Sequence, residues 1–175
     1  MDEFRFPCVG GVDYGFRERQ QFYEMAVLGF LGFLIPFVFG HPQFFVGAVV
    51  NALLIRSALT LPMRKLLPVA VAPSLGALAR GVLFGPFTVY LIVLAPFIWA
   101  GNLLLIRVFQ SRLRGISYGV TLLTGSLAKA GLLYAAAYSL YSLGLIPEVL
   151  LPSMGLMQFS TAVAGGFALY LFLRR

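Results

Sequence analysis

Residues 124–138 read TGSLAKAGLLYAAAY, small and apolar throughout except for one lysine, Lys129, near the middle. What an ammonium group does there depends on the solvent around the segment. The chain as a whole answers that question. Of its 175 residues, 60% are hydrophobic and 11% charged, against about 25% charged in a soluble domain. The mean hydropathy is +0.92. Too little polar surface is available to cover a water-soluble globule, so the composition predicts a protein embedded in lipid.

The run lengths agree. Segments near 22–40, 44–61, 66–84, 87–109, 116–145 and 150–173 each approach the ~20 apolar residues that span a bilayer core. They are continuous rather than alternating, which favours helices over barrel strands. The breaks are short and carry Pro or Gly: GHPQ at 40–43, LPMRK at 61–65, GP at 85–86, QSRLRG at 110–115 and GLIPE at 144–148. Short connections make neighbouring helices antiparallel in one bundle. The expected architecture is therefore all-α: a polytopic six-transmembrane-helix bundle over 22–175, preceded by a polar cytoplasmic tail over 1–21.

Basic residues set the orientation. Arg5, Arg17 and Arg19 precede the first segment, and Arg56, Arg64 and Lys65 surround the second connection. Arg107, Arg112 and Arg114 surround the fourth, and Arg174 and Arg175 end the chain. The first and fifth connections contain neither Lys nor Arg. With six spans all of these basic residues share one side, so the positive-inside rule puts both termini in the cytoplasm. The net charge of +7 is then a topology signal rather than a nucleic-acid footprint. The single cysteine, Cys8, excludes an internal disulfide and reads as a free thiol. Pro36, Pro68, Pro73 and Pro96 fall inside the expected spans, and the pair flanking VAVA at 69–72 predicts a distorted third helix.

Several chemistries are missing. There is no phosphate-binding G-x-x-x-x-G-K-[ST] loop, so the chain does not hydrolyse ATP by that route. His41 stands alone in the GHPQ turn, far from Cys8, which gives no metal or haem constellation. Asp2, Glu3, Asp13 and Glu18 lie in the tail, Glu24 opens the first span and Glu148 lies in the fifth connection. No carboxylate is mid-membrane, which argues against a proton relay. Ser126 and Lys129, three apart on one helical face, have the spacing of a Ser–Lys pair, but nothing marks an oxyanion hole. The chain is expected not to be an enzyme and to carry no cofactor.

Two cations depart from the loop pattern: Arg80 toward the outer end of the third segment, and Lys129 midway along the fifth. A mid-bilayer charge costs on the order of 3 kcal/mol on insertion scales, and no buried carboxylate repays it. A ligand carboxylate or phosphate would supply the missing charge; bonding to backbone carbonyls or snorkelling toward water are the alternatives. Asn51, Trp99, Asn102, Tyr134, Tyr138 and Gln158 lie in or beside the spans and are candidates to line the same cavity, or to glue helices together. Small residues form a further pattern: Gly29 and Gly32, then Gly47, Ala48 and Ala52, then Ala162, Gly165 and Gly166. Such faces allow close helix approach within the chain or against another membrane protein.

The order of features, with QFFVGAVVNALLI in the second segment, the GP turn, AKAGLL in the fifth and MQFSTAVAGG in the sixth, resembles the substrate-binding S components of energy-coupling factor (ECF) transporters. The resemblance implies capture of a vitamin, precursor or metal ion from outside the prokaryotic cytoplasmic membrane. It also implies association with a transmembrane coupling protein and two cytoplasmic ATPase subunits. Carried onto this chain, it makes Lys129, Arg80, Asn102, Tyr134, Tyr138 and Gln158 substrate-binding candidates. Gly29, Gly32, Gly47, Ala48, Ala52, Ala162 and Gly166 become the positions that face the coupling protein. No N-terminal histidines of the kind a cobalt or nickel site needs are present. The alternative from another class is a non-transport subunit or assembly factor of a larger membrane complex.

Overall fold

The computed structural model describes residues 14–39, 41–84, 88–111 and 117–174. Residues 1–13 with Arg5 and Cys8, Gly40, the turn at 85–86, Arg112, Arg114 and Arg175 lie outside the described residues. The described chain is helical, with no strand among the described residues. The helices are α1 (Tyr14–Val38), α2 (Gln43–Thr60), α3 (Leu67–Phe84), α4 (Thr88–Gln110), α5 (Tyr118–Ser142), the single-turn α6 (Leu151–Met154) and α7 (Leu156–Leu173). Short 3₁₀ turns at Met63–Lys65 and Glu148–Leu150 lead into α3 and α6.

Five stretches among the described residues are long and apolar enough to cross a membrane: Glu18–Val38, Gln43–Thr60, Val89–Gln110, Tyr118–Ser142 and Glu148–Leu173. The protein is a membrane-embedded, multi-pass helical bundle. Its outer surface agrees, because Phe30, Ile92, Leu127, Phe167 and Phe172 are all exposed around the bundle. With many more large apolar side chains exposed beside them, they make an apolar surface too extensive for water and suited to lipid.

Three boundaries differ from the sequence expectation. α1 begins at Tyr14 and so extends into the stretch expected to be tail. α3 begins at Leu67, which puts Pro68 in its first turn, where the missing N–H has no helical acceptor to lose. Only Pro73 interrupts α3; Pro36 and Pro96 lie inside α1 and α4 as expected. The last segment is not one helix: Gly155, at φ −100° and ψ −92°, separates α6 from α7. The ring of Tyr134 lies so close that a Cβ on residue 155 would stand 2.9 Å from its Cδ2. Hydropathy along one segment carries no trace of a ring arriving from another helix.

The bundle is built from tight pairs. α1 packs along α3, α2 along α7, and α4 along α5. The first two pairs close on glycine. A Cβ on Gly76 would run into the carbonyl oxygen of Phe33, and one on Gly165 into the carbonyl oxygen of Ala48. Backbones in lipid gain from this proximity through dispersion contacts that no side chain interrupts.

Two apolar cores fill the interior. One gathers Leu54, Ile55, Leu66, Leu105, Ile106 and Phe109 from α2, the α3 approach and α4, with Tyr118 and Leu122 of α5. The other gathers Leu94, Leu133, Ala137, Ile146 and Met154 toward the opposite end. Between them in helical register lie the buried polar side chains Asn51, Ser74, Asn102, Ser126, Lys129 and Thr161.

Candidate functional site

The polar layer has two parts, each explained by the helices that meet there. Where α4 crosses α3, the Asn102 Nδ2 donates to the Ala70 carbonyl at 2.8 Å. Trp99 Nε1 donates to the Ser74 hydroxyl, which in turn donates to the Val71 carbonyl at 2.8 Å. These contacts sit on both sides of Pro73, the residue that deprives α3 of one helical hydrogen bond. Asn102 and Trp99 thus act between helices.

The second part joins α2, α5 and α7. Lys129 is 2% exposed. It sits eleven residues into α5, about 16 Å from the helix start at 1.5 Å per residue. Its Nζ donates to Asn51 Oδ1 at 2.6 Å. The Asn51 amide is then fully engaged: its Nδ2 donates to the Gly47 carbonyl at 2.9 Å and to Thr161 Oγ1 at 3.1 Å. Thr161 donates back to the Met157 carbonyl at 2.8 Å. The close α2–α7 approach makes this possible, since Gly47 leaves room for Thr161, whose Cγ2 lies 2.9 Å from where a Cβ would be.

The ammonium itself is under-bonded. It carries three N–H donors, and the Asn51 amide oxygen accepts one of them. Among the described residues no carboxylate pairs with it; the ion pair found there is Arg56 with Glu24 at 3.4 Å, between α2 and α1. One turn earlier on α5, the Ser126 Oγ is fully buried with no hydrogen-bond partner. Ser126 and Lys129 are not hydrogen-bonded to each other, so no Ser–Lys dyad is assembled. The site offers a desolvated cation, a neutral acceptor and an idle hydroxyl. That set is complementary to an oxygen-rich anion.

The remaining candidates are distributed elsewhere. Arg80 Nη1 donates to the carbonyls of Phe37 and Val38, at 3.3 and 2.7 Å, closing the C-terminal end of α1 where carbonyls lack helical donors. Tyr134 and Tyr138 are exposed, 47% and 55%, and their rings stack at 6.3 Å. Helical phase accounts for this: five and nine residues beyond Lys129, at about 100° each, turn them roughly 140° and 180° away from it. Gln158 is half-buried on α7, and its backbone carbonyl accepts from Thr161 at 3.2 Å.

Among the small residues, Gly47, Gly165 and Gly166 face neighbouring helices of this chain, with the Ala48 and Ala52 backbones against Gly165. Ala162 is fully buried, and a Cβ on Gly32 would stand 3.6 Å from the Pro73 ring. Gly29 faces open space.

Thr161 is the member of the junction that sequence reasoning missed. Its signal was its place four residues before Gly165, on the face of α7 that had to lie against α2. Comparisons with known protein families, characterised proteins and solved structures give no match to this chain.

Proposed function

We propose that this protein is a membrane-embedded substrate-capture subunit of an ECF-type uptake transporter. In this role it takes a small anionic or zwitterionic nutrient from outside the prokaryotic cytoplasmic membrane. A transmembrane coupling protein and two cytoplasmic ATPase subunits then drive import, both termini of this chain being cytoplasmic. The observation that carries the proposal is the Lys129 ammonium, buried at mid-bundle with one neutral acceptor and no carboxylate. A ligand carboxylate or phosphate would complete its hydrogen bonding, and the idle Ser126 hydroxyl is the second contact. Access requires α5 to part from the α2–α7 pair, breaking the Lys129–Asn51 bond as the ligand replaces it. Substrate entry and loosening of the bundle are then one event. On the partner side, the exposed apolar face of α1 around the open Gly29, with Phe22, Val27 and Phe30, is the surface for the coupling protein.

The test is native mass spectrometry of the protein purified from its own cells in a mild detergent. The wild type is expected to retain a low-mass anionic adduct and to co-purify with a membrane protein and ATPases. Lys129→Met is expected to lose the adduct while keeping the partners. A wild type that carries neither adduct nor ATPases under any mild extraction overturns the proposal.

The Asn51 bond supports a second function, in which Lys129 is only a brace between helices of a non-transport subunit or assembly factor. Lys129→Met would then leave every bound species unchanged.

A further inference from the structure

A different region carries chemistry that the Lys129 site does not use. A cleft of about 480 Å³ lies between the last turns of α5 and the 148–156 segment, lined by Tyr134, Glu148, Val149, Leu151, Pro152 and Leu156. Glu148 is the only charged residue in the whole stretch 130–173. It is exposed and forms no ion pair among the described residues.

The cleft's other polar group is Tyr134, the one ring of the α5 tyrosine series that lines it. Tyr134 stacks on Tyr138, and the Tyr138 ring is 6.5 Å from that of Tyr141, making a ladder of three rings along the last nine residues of α5. Exposed tyrosines near the end of a transmembrane helix sit at headgroup depth, where a ring meets acyl chain on one side and water on the other. The Tyr134 ring lies against Gly155, where a Cβ would stand 2.9 Å from its Cδ2. The rest of the rim is apolar and open: Val149 is 66% exposed and Leu156 71%.

A lone carboxylate beside aromatic faces is complementary to an organic ammonium group, by charge and by the ring quadrupole. The apolar rim, continuous with the lipid-facing surface, suits a hydrocarbon tail attached to that ammonium. We propose that this cleft holds the ammonium-bearing headgroup of a membrane phospholipid, with Glu148 and the Tyr134 ring on the ammonium and Val149 and Leu156 along the acyl chain. The site lies on the opposite face of α5 from Lys129 and is independent of the transport proposal. It gives the 148–156 segment an anchor in the membrane interface.

The full-length protein in mild detergent is titrated with an equimolar mixture of dioleoyl phosphatidylethanolamine and dioleoyl phosphatidylglycerol, and bound lipid is counted by native mass spectrometry. Retention of the ethanolamine lipid is expected to exceed that of the glycerol lipid about fivefold, the scale of one exposed charge contact. Glu148→Gln is expected to abolish the preference, and Glu148→Lys to invert it, both with wild-type thermal unfolding. Tyr134→Leu lowers ethanolamine-lipid retention and leaves the glycerol lipid unchanged. Equal retention by the wild type, or a preference that survives Glu148→Gln, overturns the site. Displacement of the lipid by free ethanolamine at equal concentration overturns the lipid as occupant and makes a soluble amine the ligand.

Discussion

Two cations stand apart from the basic loops, and the protein treats them differently. Arg80 reaches the end of α1, where the carbonyls of Phe37 and Val38 have run out of helical donors, and one guanidinium nitrogen serves both. A positive charge at a helix C-terminus is also favoured by the helix dipole. Lys129 sits at mid-helix, where backbone carbonyls are already engaged by their own helix. It finds one side-chain acceptor, Asn51, borrowed from α2. The first cation completes a structure that would otherwise be deficient. The second creates a deficiency that α2 and α7 only partly relieve. The contrast shows that an isolated charge in an apolar helix points to a ligand only when helix ends and other carbonyls do not account for it.

The sharpest way to break this contrast is to remove the acceptor. Asn51→Leu leaves Lys129 buried with no partner, and the expected loss is about 3–5 kcal/mol, read as early unfolding in mixed detergent–SDS micelles. Removing the charge as well, in Asn51→Leu with Lys129→Met, is expected to restore most of that loss, because two apolar side chains replace the pair. If the double variant is as unstable as the single one, Asn51 acts through packing and the contrast with Arg80 disappears. A smaller effect belongs to the α1 end: Arg80→Met uncovers two carbonyls, and about 1–2 kcal/mol is expected, with faster hydrogen exchange confined to the last turn of α1. An equal loss of exchange protection in α5 would mean that the two cations are coupled after all.

The helical, membrane-spanning character was legible, because run length and short Pro- and Gly-bearing breaks both report on which backbone has to satisfy itself in lipid. What failed to show were features set by another helix. At the Gly155 break, the space a Cβ would need is taken by the ring of Tyr134, twenty-one positions earlier. Arg80's acceptors are carbonyls, and every sequence has those. Thr161 bonds its own helix as a lone threonine in an apolar span ordinarily does, and only its place four residues before Gly165 hints at the bond it accepts from Asn51. The outward placement of Tyr134 and Tyr138, by contrast, follows from arithmetic on the helical repeat, whose phase sets them apart from Lys129.

Finer substitutions separate the two ends of the Lys129 junction. Thr161→Val keeps the shape but leaves one Asn51 N–H without its acceptor, and the expected loss is about 1 kcal/mol. Ser126→Ala is the smallest change and the most informative for function. The Ser126 hydroxyl is buried with no hydrogen-bond partner, so removing it relieves a desolvation penalty, and stability is expected to stay within about 0.5 kcal/mol of the wild type or to rise. If the hydroxyl is held in reserve for a ligand, the same substitution weakens retention of the anionic adduct severalfold while unfolding is unchanged. A hydroxyl that bonds only a trapped water would give the reverse pattern: lower stability with retention intact. Measuring unfolding and adduct retention on one preparation of Ser126→Ala therefore decides whether the polar layer is a binding site waiting for its anion or a brace that tolerates an idle group.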